Sequence, residues 1–438
     1  MNLGTDNKLQ KKGITLVIPN PCGNIKETKM KNSGVEWIGE IPENWESIRL
    51  KYIYSTTKAK LPKQFYDDKN LTPYLSMDFI RDSINTEPVY AKDGDYCSEE
   101  DILILWDGSN AGEIVFNHPA GYAPSTTAIL KKLSTQSLPV YDKFYLKALE
   151  DDLRRNTNGM GIPHVNGSYL NNSLFLLPPK STQQRIATYL DKKCSKIEET
   201  IQNQQQVIEK LKAYKQSLIT EAVTGKVKIQ NEIPDFKYCN LGFIAEFKNG
   251  LNYNASDFGT EVKFLGVGDF QNYLVLNHES MFSNIITDTE IEDDYYLKNG
   301  DIIFVRSNGS KELVGRAIMV DNIDFKVTYS GFCIRLRNKE PKKINSKFLL
   351  YFFRSDYFRN ELQRLSQGSN ISNINQDLLS HIKIPLVDIR FQESVVDFLN
   401  KKCTAIDTAI EQKQNLIEKL TEYKKSLIYE VVTGKKEI

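Results

Sequence analysis

Apolar residues return along two stretches of this chain at alternating intervals of four and three. In the first they are Ile197, Ile201, Ile208, Leu211 and Leu218, with Gln204 and Lys215 in the two remaining steps. In the second they are Ile406, Ile410, Ile417, Leu420 and Leu427, with Lys413 and Lys424 in the same two steps. That spacing is the seam of a coiled coil, and polar residues inside a seam cost stability while penalising wrong registers. One offset of 209 positions carries the first stretch onto the second, taking Cys194 to Cys403, Tyr214 to Tyr423 and Thr224-Gly225-Lys226 to Thr433-Gly434-Lys435. The chain is therefore a tandem duplication with one long helix per copy. Domain ends usually lie close together, so the second helix is expected to start where the first stops and to run antiparallel to it. A helical core of about 28 residues would make a rod of roughly 42 Å.

Ahead of each helix the pattern changes to short apolar runs bounded by turn residues, which predict strands. In the first copy these are Asp101–Trp106, a turn-rich Asp107–Gly112, a further run after it, and TTAILKKL. A helix from Asp142 to Arg155 and a Gly-rich loop NTNGMGIPH follow. The second copy answers with Gly300–Val320, TYSGFCIRLR, the helical SKFLLYFFRSDYFRNELQRL and SQGSNISNINQ. In front of the first copy, Trp37, Ile38, Ile41, Pro42 and Trp45 form an apolar arm that needs a surface, either its own domain or the C-terminal helix. The reading divides the chain into a leader (1–32), a first domain (33–180), a central helical region (181–228), a second domain (229–388) and a C-terminal helical region (389–438). The expected fold is α+β: two similar α/β domains separated by a pair of long antiparallel helices.

Composition narrows the chemistry. With 40% hydrophobic residues, 11% aromatics and a net charge of +1, the 438-residue chain has the makeup of two or three folded domains. A near-neutral balance excludes a protein that coats nucleic acid but leaves room for local basic loops. There is no apolar run of transmembrane length and no secretion signal, so a cytoplasmic address without membrane contact is expected. Six scattered cysteines without a C-x-x-C pair read as reduced thiols. The four histidines, His118, His164, His278 and His381, are far apart in sequence. They suggest no metal cluster.

Three catalytic patterns can be weighed. Asp235 with Glu246 and Lys248 has the residue types of a Mg²⁺-dependent nuclease, although no further acidic cluster follows and the first copy has no counterpart. Asn20-Pro21-Cys22-Gly23 lacks the second proline and the aromatic of an adenine-methyltransferase motif. No G-x-x-x-x-G-K-[ST] loop is present to cradle a nucleotide. No catalytic or metal-binding residue is assigned.

Taken together, SGVEWIGEIPENW, the strand-turn motifs DILILWDGSNAG and GDIIFVRSNGS, the exits into a glutamine and a helix, and the endings SLITEAVTGK and SLIYEVVTGK resemble the specificity subunit of type I restriction-modification systems. The resemblance runs from about Lys31 to Lys436. It implies two target-recognition domains that each read one half of a split site in double-stranded DNA. It also implies two modification (methyltransferase) subunits and two restriction (endonuclease/translocase) subunits as partners. S-adenosylmethionine, ATP and Mg²⁺ chemistry would belong to those partners, and this chain would be non-catalytic. A structural adaptor that uses the rod to bridge proteins is the reading to be separated from it, along with the autonomous nuclease above.

A rod of roughly 42 Å matches about 12 base pairs, near one turn of duplex. Candidate DNA-contacting residues are Asp107, Ser109 and Asn110 with Arg154, Arg155, Asn158 and His164 in the first domain. In the second they are Arg306, Ser307, Asn308 and Lys311 with Arg364, Gln367 and Asn370. Arginine can grip guanine, and asparagine or glutamine can grip adenine, through paired hydrogen bonds. Asn, Ser and Gly in turns also serve backbone geometry alone.

Overall fold

The computed structural model describes residues 29–82, 84–159, 161–229, 236–252, 259–270, 273–288, 290–309, 312–365 and 373–438. Most of the leader, with Asn20-Pro21-Cys22-Gly23, lies outside the described residues, as do Asp235, Lys311, Gln367 and Asn370. The fold is mixed α+β. It contains two helices of 44 residues each, Lys180–Val223 and Ile389–Val432, so each is about 66 Å long and extends well beyond its seam. The chain divides into two compact units, Met1–Ile197 with Thr421–Ile438, and Glu198–Leu420. Each long helix thus contributes to both.

Within the second unit the two helices run antiparallel. Lys413 Nζ donates to Gln204 Oε1 at 2.9 Å, and Lys215 Nζ to the Asp407 carboxylate at 2.6 and 2.7 Å, so higher numbers on one helix face lower numbers on the other. Ile208 and Ile406 are buried, and Ile201, Leu211, Ile410, Ile417 and Leu420 are half-buried between exposed neighbours. The polar seam residues Gln204 and Lys413 are copies of one another under the 209 offset, and they meet. Slipping the helices would leave both amide and ammonium against apolar side chains, which is how a polar pair selects one register. Replacing both with leucine should therefore raise helix-pair stability by about 1–2 kcal/mol while admitting shifted registers. Thermal melting combined with cysteine cross-linking along the seam checks this; a less stable double variant would contradict it.

The first unit has a four-stranded sheet in the order Ile114–Val115, Ile102–Leu105, Thr127–Lys132, Tyr54–Lys58. The second unit repeats that order with Ala317–Val320, Ile302–Val305, Cys333–Asn338 and Ala245–Asn249, and adds Val275–Leu276 at one edge. In each, the central runs Ile102–Leu105 and Ile302–Val305 are buried on both faces, which is why they read as unbroken apolar segments rather than alternating ones. A second sheet accompanies each: five short strands in the first unit, and Ser283–Thr287, Thr260–Leu265 and Val327–Tyr329 in the second.

The step from domain to helix is built twice in the same way. Buried Gln183 donates to Pro178 O at 2.8 Å and accepts from Leu138 N at 2.8 Å. Gln392 donates to Val387 O at 2.8 Å and accepts from Asn345 N at 2.8 Å. A glutamine amide, donor and acceptor at once, satisfies backbone groups that burial would otherwise strand.

Two expectations change in detail. The helix of the first domain begins earlier, at Pro139, where proline suits the first turn. Its counterpart is not one helix but two, Ser346–Phe353 and Asp356–Leu365. Ser355 makes the break, its Oγ accepting from Phe358 N at 3.3 Å as an N-terminal cap. The apolar arm finds both proposed surfaces within the first unit. Ile38, Ile41 and Trp45 are buried, and Trp37 lies 6.3 Å, ring to ring, from Tyr145 of its own domain and from Tyr429 of the C-terminal helix. Tyr429 also donates its hydroxyl to Trp37 O at 2.8 Å.

Among the described residues, Cys97, Cys194, Cys239, Cys333 and Cys403 are free thiols. No described helix is long and apolar enough to cross a membrane.

Candidate nucleic-acid interface

In the first unit the turn after Ile102–Leu105 and the Gly-rich loop lie side by side. Asp107 pairs with His164 and Asn158 with His164 as isolated β-bridges; Asn158 and His164 exchange backbone hydrogen bonds at 2.8 Å in each direction. Gly108 N donates to Pro163 O at 3.0 Å, and Val165 N to Trp106 O at 2.8 Å. Ser109 and Asn110 form the tip of the turn, closed by Ala111 N to Gly108 O at 2.9 Å and Glu113 N to Asn110 O at 3.0 Å. The structure thus brings Asp107, Ser109, Asn110, Asn158 and His164 into one ridge.

Side chains lock that ridge. One Asp107 oxygen lies 2.6 Å from His164 Nδ1, and the other accepts from Lys58 Nζ at the end of strand Tyr54–Lys58. Lys58 also stands 5.8 Å from the Trp106 ring. Partial burial raises the carboxyl's proton affinity, but hydrogen bonds and charge from Lys58 and His164 outweigh it, so Asp107 sits below the usual carboxylate range. A folded value below the unfolded one stabilises at pH above the unfolded value, and that contribution is lost as pH falls through the folded one. Protection of residues 107–112 and 156–165 against hydrogen exchange, relative to the intrinsic rate at each pH, should therefore fall below about pH 4 in the native protein. Asp107→Ala should show the lost protection already at neutral pH; equal protection in the variant would argue against the lock.

Arg154 and Arg155 are set back from the tip of that ridge, with Arg154 at the foot of the turn, where a Cβ on Gly112 would lie 3.2 Å from its Cγ. They end helix Pro139–Arg155 and line a cleft of about 720 Å³ with Trp37, Lys147, Lys425 and Tyr429; neither Asp107 nor His164 borders it. Arg155 Nε donates to Asp151 O at 3.2 Å, one turn back.

The second unit carries the corresponding arrangement at the described residues of its turn and at Asn373 and Ile374. Arg306 N donates to Phe332 O at 2.7 Å, Ile374 N to Arg306 O at 2.9 Å, and Ser307 forms a β-bridge with Asn373. Asn308 follows on the same half-buried turn. Arg364 is separate from this group, exposed on its helix and paired with Glu361 at 2.9 Å. Lys58, Asn249 and Asn373, which end strands or bridge to these turns, are not among the sequence candidates. For Asn373 a signal existed, since it is His164 displaced by 209 positions. Lys58 and Asn249 end strands whose sheet partners lie far away in the chain, and no local pattern marks them.

The two described members of the nuclease pattern are already engaged. Glu246 pairs with the fully buried Arg335 at 3.1 Å, and Lys248 with Asp294 at 2.6 Å beside the Tyr295 ring. Among the described residues, no three His, Cys, Asp or Glu side chains are grouped to hold a metal ion.

Comparison with known proteins gives a consistent result. A family model for the type I restriction modification DNA specificity domain matches residues 42–212 and again residues 233–421. The chain is 30% identical over 417 residues to the type I restriction enzyme MjaVIII specificity subunit of Methanocaldococcus jannaschii, across 90% of this chain and 93% of that one. It is 23% identical over 442 residues to the EcoBI specificity subunit of Escherichia coli, across 94% and 90% of the two chains. A solved chain, described in terms of complex assembly and conformational transition of the type I R-M system, superposes with a TM-score of 0.67 at 14% identity. That superposition covers 90% of this chain and 99% of the other, and it shows likeness of fold.

Proposed function

Because the chain belongs to the type I restriction-modification DNA specificity family, which matches it over both halves, we propose that each unit reads one block of a split DNA site through its paired turn and loop. The chain is a specificity subunit and is not itself catalytic. It works within a complex whose modification and restriction subunits carry the S-adenosylmethionine, ATP and Mg²⁺ chemistry. Residues 33–180 and 229–388 are assigned as the two target-recognition domains. Two modification and two restriction subunits complete the assembly.

The observation that carries the assignment of the reading surface is the repeated frame with different side chains on it. Backbone hydrogen bonds place Asp107 beside His164 and Ser307 beside Asn373 in the same manner, yet the first pair is ionisable and the second is not. Phosphate contacts fix orientation while base-edge contacts carry sequence, so a shared scaffold with divergent polar tips suits two readers of different blocks.

Single-molecule methylome sequencing of a host expressing the chain with its cognate modification subunit tests the reading. The expected result is a methyl-adenine motif in two blocks with a fixed gap, absent from a host lacking the chain. No motif from a complex that demonstrably assembles would favour the adaptor reading. The purified chain alone should neither cut nor methylate DNA.

A further inference from the structure

We infer that register-equivalent side chains in each unit select bases: Lys58 and His164, held in place by Asp107, in the first, and Asn249, Ser307 and Asn373 in the second. The inference rests on the reading of these loops as DNA-facing, and it assigns a role to each position.

Equivalence follows from sheet register. Lys58 pairs with Ala128, which pairs with Ile104; Asn249 pairs with Ile334, which pairs with Phe304. Ile104 and Phe304 each stand two residues before the residue that opens the turn, Trp106 in one unit and Arg306 in the other. Trp106 N donates to Thr126 O and Arg306 N to Phe332 O, both at 2.7 Å. Downstream, Gly112 N returns to Leu105 O at 2.8 Å and Gly315 N to Val305 O at 2.9 Å. The bridges Asp107 to His164 and Ser307 to Asn373 complete the match. Three strand and loop ends therefore converge at the same place in each unit.

Their chemistry differs in a way that bases can distinguish. In the first unit Asp107 spends both oxygens inside the protein, one on Lys58 and one on His164. It is a positioning residue. By accepting from Nδ1–H it holds the imidazole in place and leaves Nε2, which has no other partner among the described residues, for a base edge. The His164 side chain is 49% exposed and that of Lys58 39%. A lysine ammonium beside an imidazole nitrogen suits a G·C pair, with the ammonium on guanine O6 or N7 and Nε2 on a neighbouring polar atom of the same pair. In the second unit Asn373 offers an exposed amide, donor and acceptor together, Ser307 a hydroxyl, and Asn249 an amide that lies 3.2 Å from the Gln376 side chain. Amides suit the N6 and N7 of adenine.

The test is the methylome of hosts expressing the full chain, or its variants, with the cognate modification subunit. His164→Ala should make one fixed G·C position degenerate in one block, raising methylation at sites with other bases there by about tenfold or more. Asn373→Ala should do the same at an A·T position of the other block. Asp107→Asn, which keeps an acceptor for Nδ1, should preserve the motif, whereas Asp107→Ala should reproduce the His164→Ala degeneracy. Should His164→Ala fail to co-purify with its partner, His164→Gln carries the same expectation. Unchanged motifs in the histidine and asparagine variants, or less methylation with the same bases fixed, would overturn the inference. A wild-type chain that yields no bipartite motif would instead remove the underlying reading.

Discussion

Exchanging residues 229–388 for the matching segment of a relative with a different target is expected to replace one block of the methylated motif completely and leave the other unchanged. The expectation follows from how the second unit is built. Its core joins the sheet, through Phe304, Ile334 and Leu336, to Phe348 and Phe352 of the helical layer and to Leu218, Ile219, Val395 and Leu399 on the long helices. Polar tips on the turn and loop are not part of that core, so a donor segment that keeps the apolar frame can bring new tips without disturbing the rest. Each mismatched base pair costs about 1–3 kcal/mol, roughly additively, so a block of several pairs separates old from new target by several kcal/mol. That is enough to make the change complete at ordinary expression. A chimera whose motif changes in both blocks would show that the units do not read independently.

Gly225→Val is expected to destabilise the second unit by about 2–5 kcal/mol. Gly225 ends the first long helix with φ of +75°, where a side chain clashes with its own backbone at a cost of roughly 1–2 kcal/mol. A Cβ would also lie 1.9 Å from Cε2 of Phe236, so the ring must move, and overpacking of this kind costs about 1–3 kcal/mol. The other copy repeats the arrangement inside the first unit, where Gly434 has φ of +73° and a Cβ would meet Pro42 at 2.4 Å and the Trp45 ring at 3.3 Å. Denaturant unfolding followed by hydrogen exchange of residues 237–252 reports on the Gly225 variant. Retention of wild-type stability would mean that Phe236 has room to swing aside. The Thr-Gly-Lys repeat thus marks the point where each helix stops and an aromatic from the following or preceding domain closes over it.

Particular residues show where sequence reading succeeds. Gln204 and Lys413 were visible as breaks in an apolar seam, and their meaning as a register device followed from spacing alone. The buried runs Ile102–Leu105 and Ile302–Val305 were visible because four consecutive apolar residues between turn signals have few alternatives to a covered strand. The split at Ser355 was not visible. A serine inside a helical pattern is tolerated as often as it caps, and the choice depends on where Arg354 can reach, in this case Tyr273 O at 2.6 Å. Arg154 and Arg155 were selected for their charge beside a loop, but the helix turns them toward Trp37 and the C-terminal helix. Glu246 and Lys248 resembled a catalytic fragment until their partners Arg335 and Asp294, distant in the chain, were beside them.

By itself the sequence determined the duplication, the two long helices, the strand-turn frame and the family, because each rests on periodicity or on residues close together in the chain. Only the tertiary structure decided which polar groups meet. Lys58 reaches Asp107 across 49 positions, and Asp107 reaches His164 across 57. Pairings of that kind are set by sheet register and loop closure rather than by local preference, so the surface proposed to read DNA becomes visible only once the strands are in place.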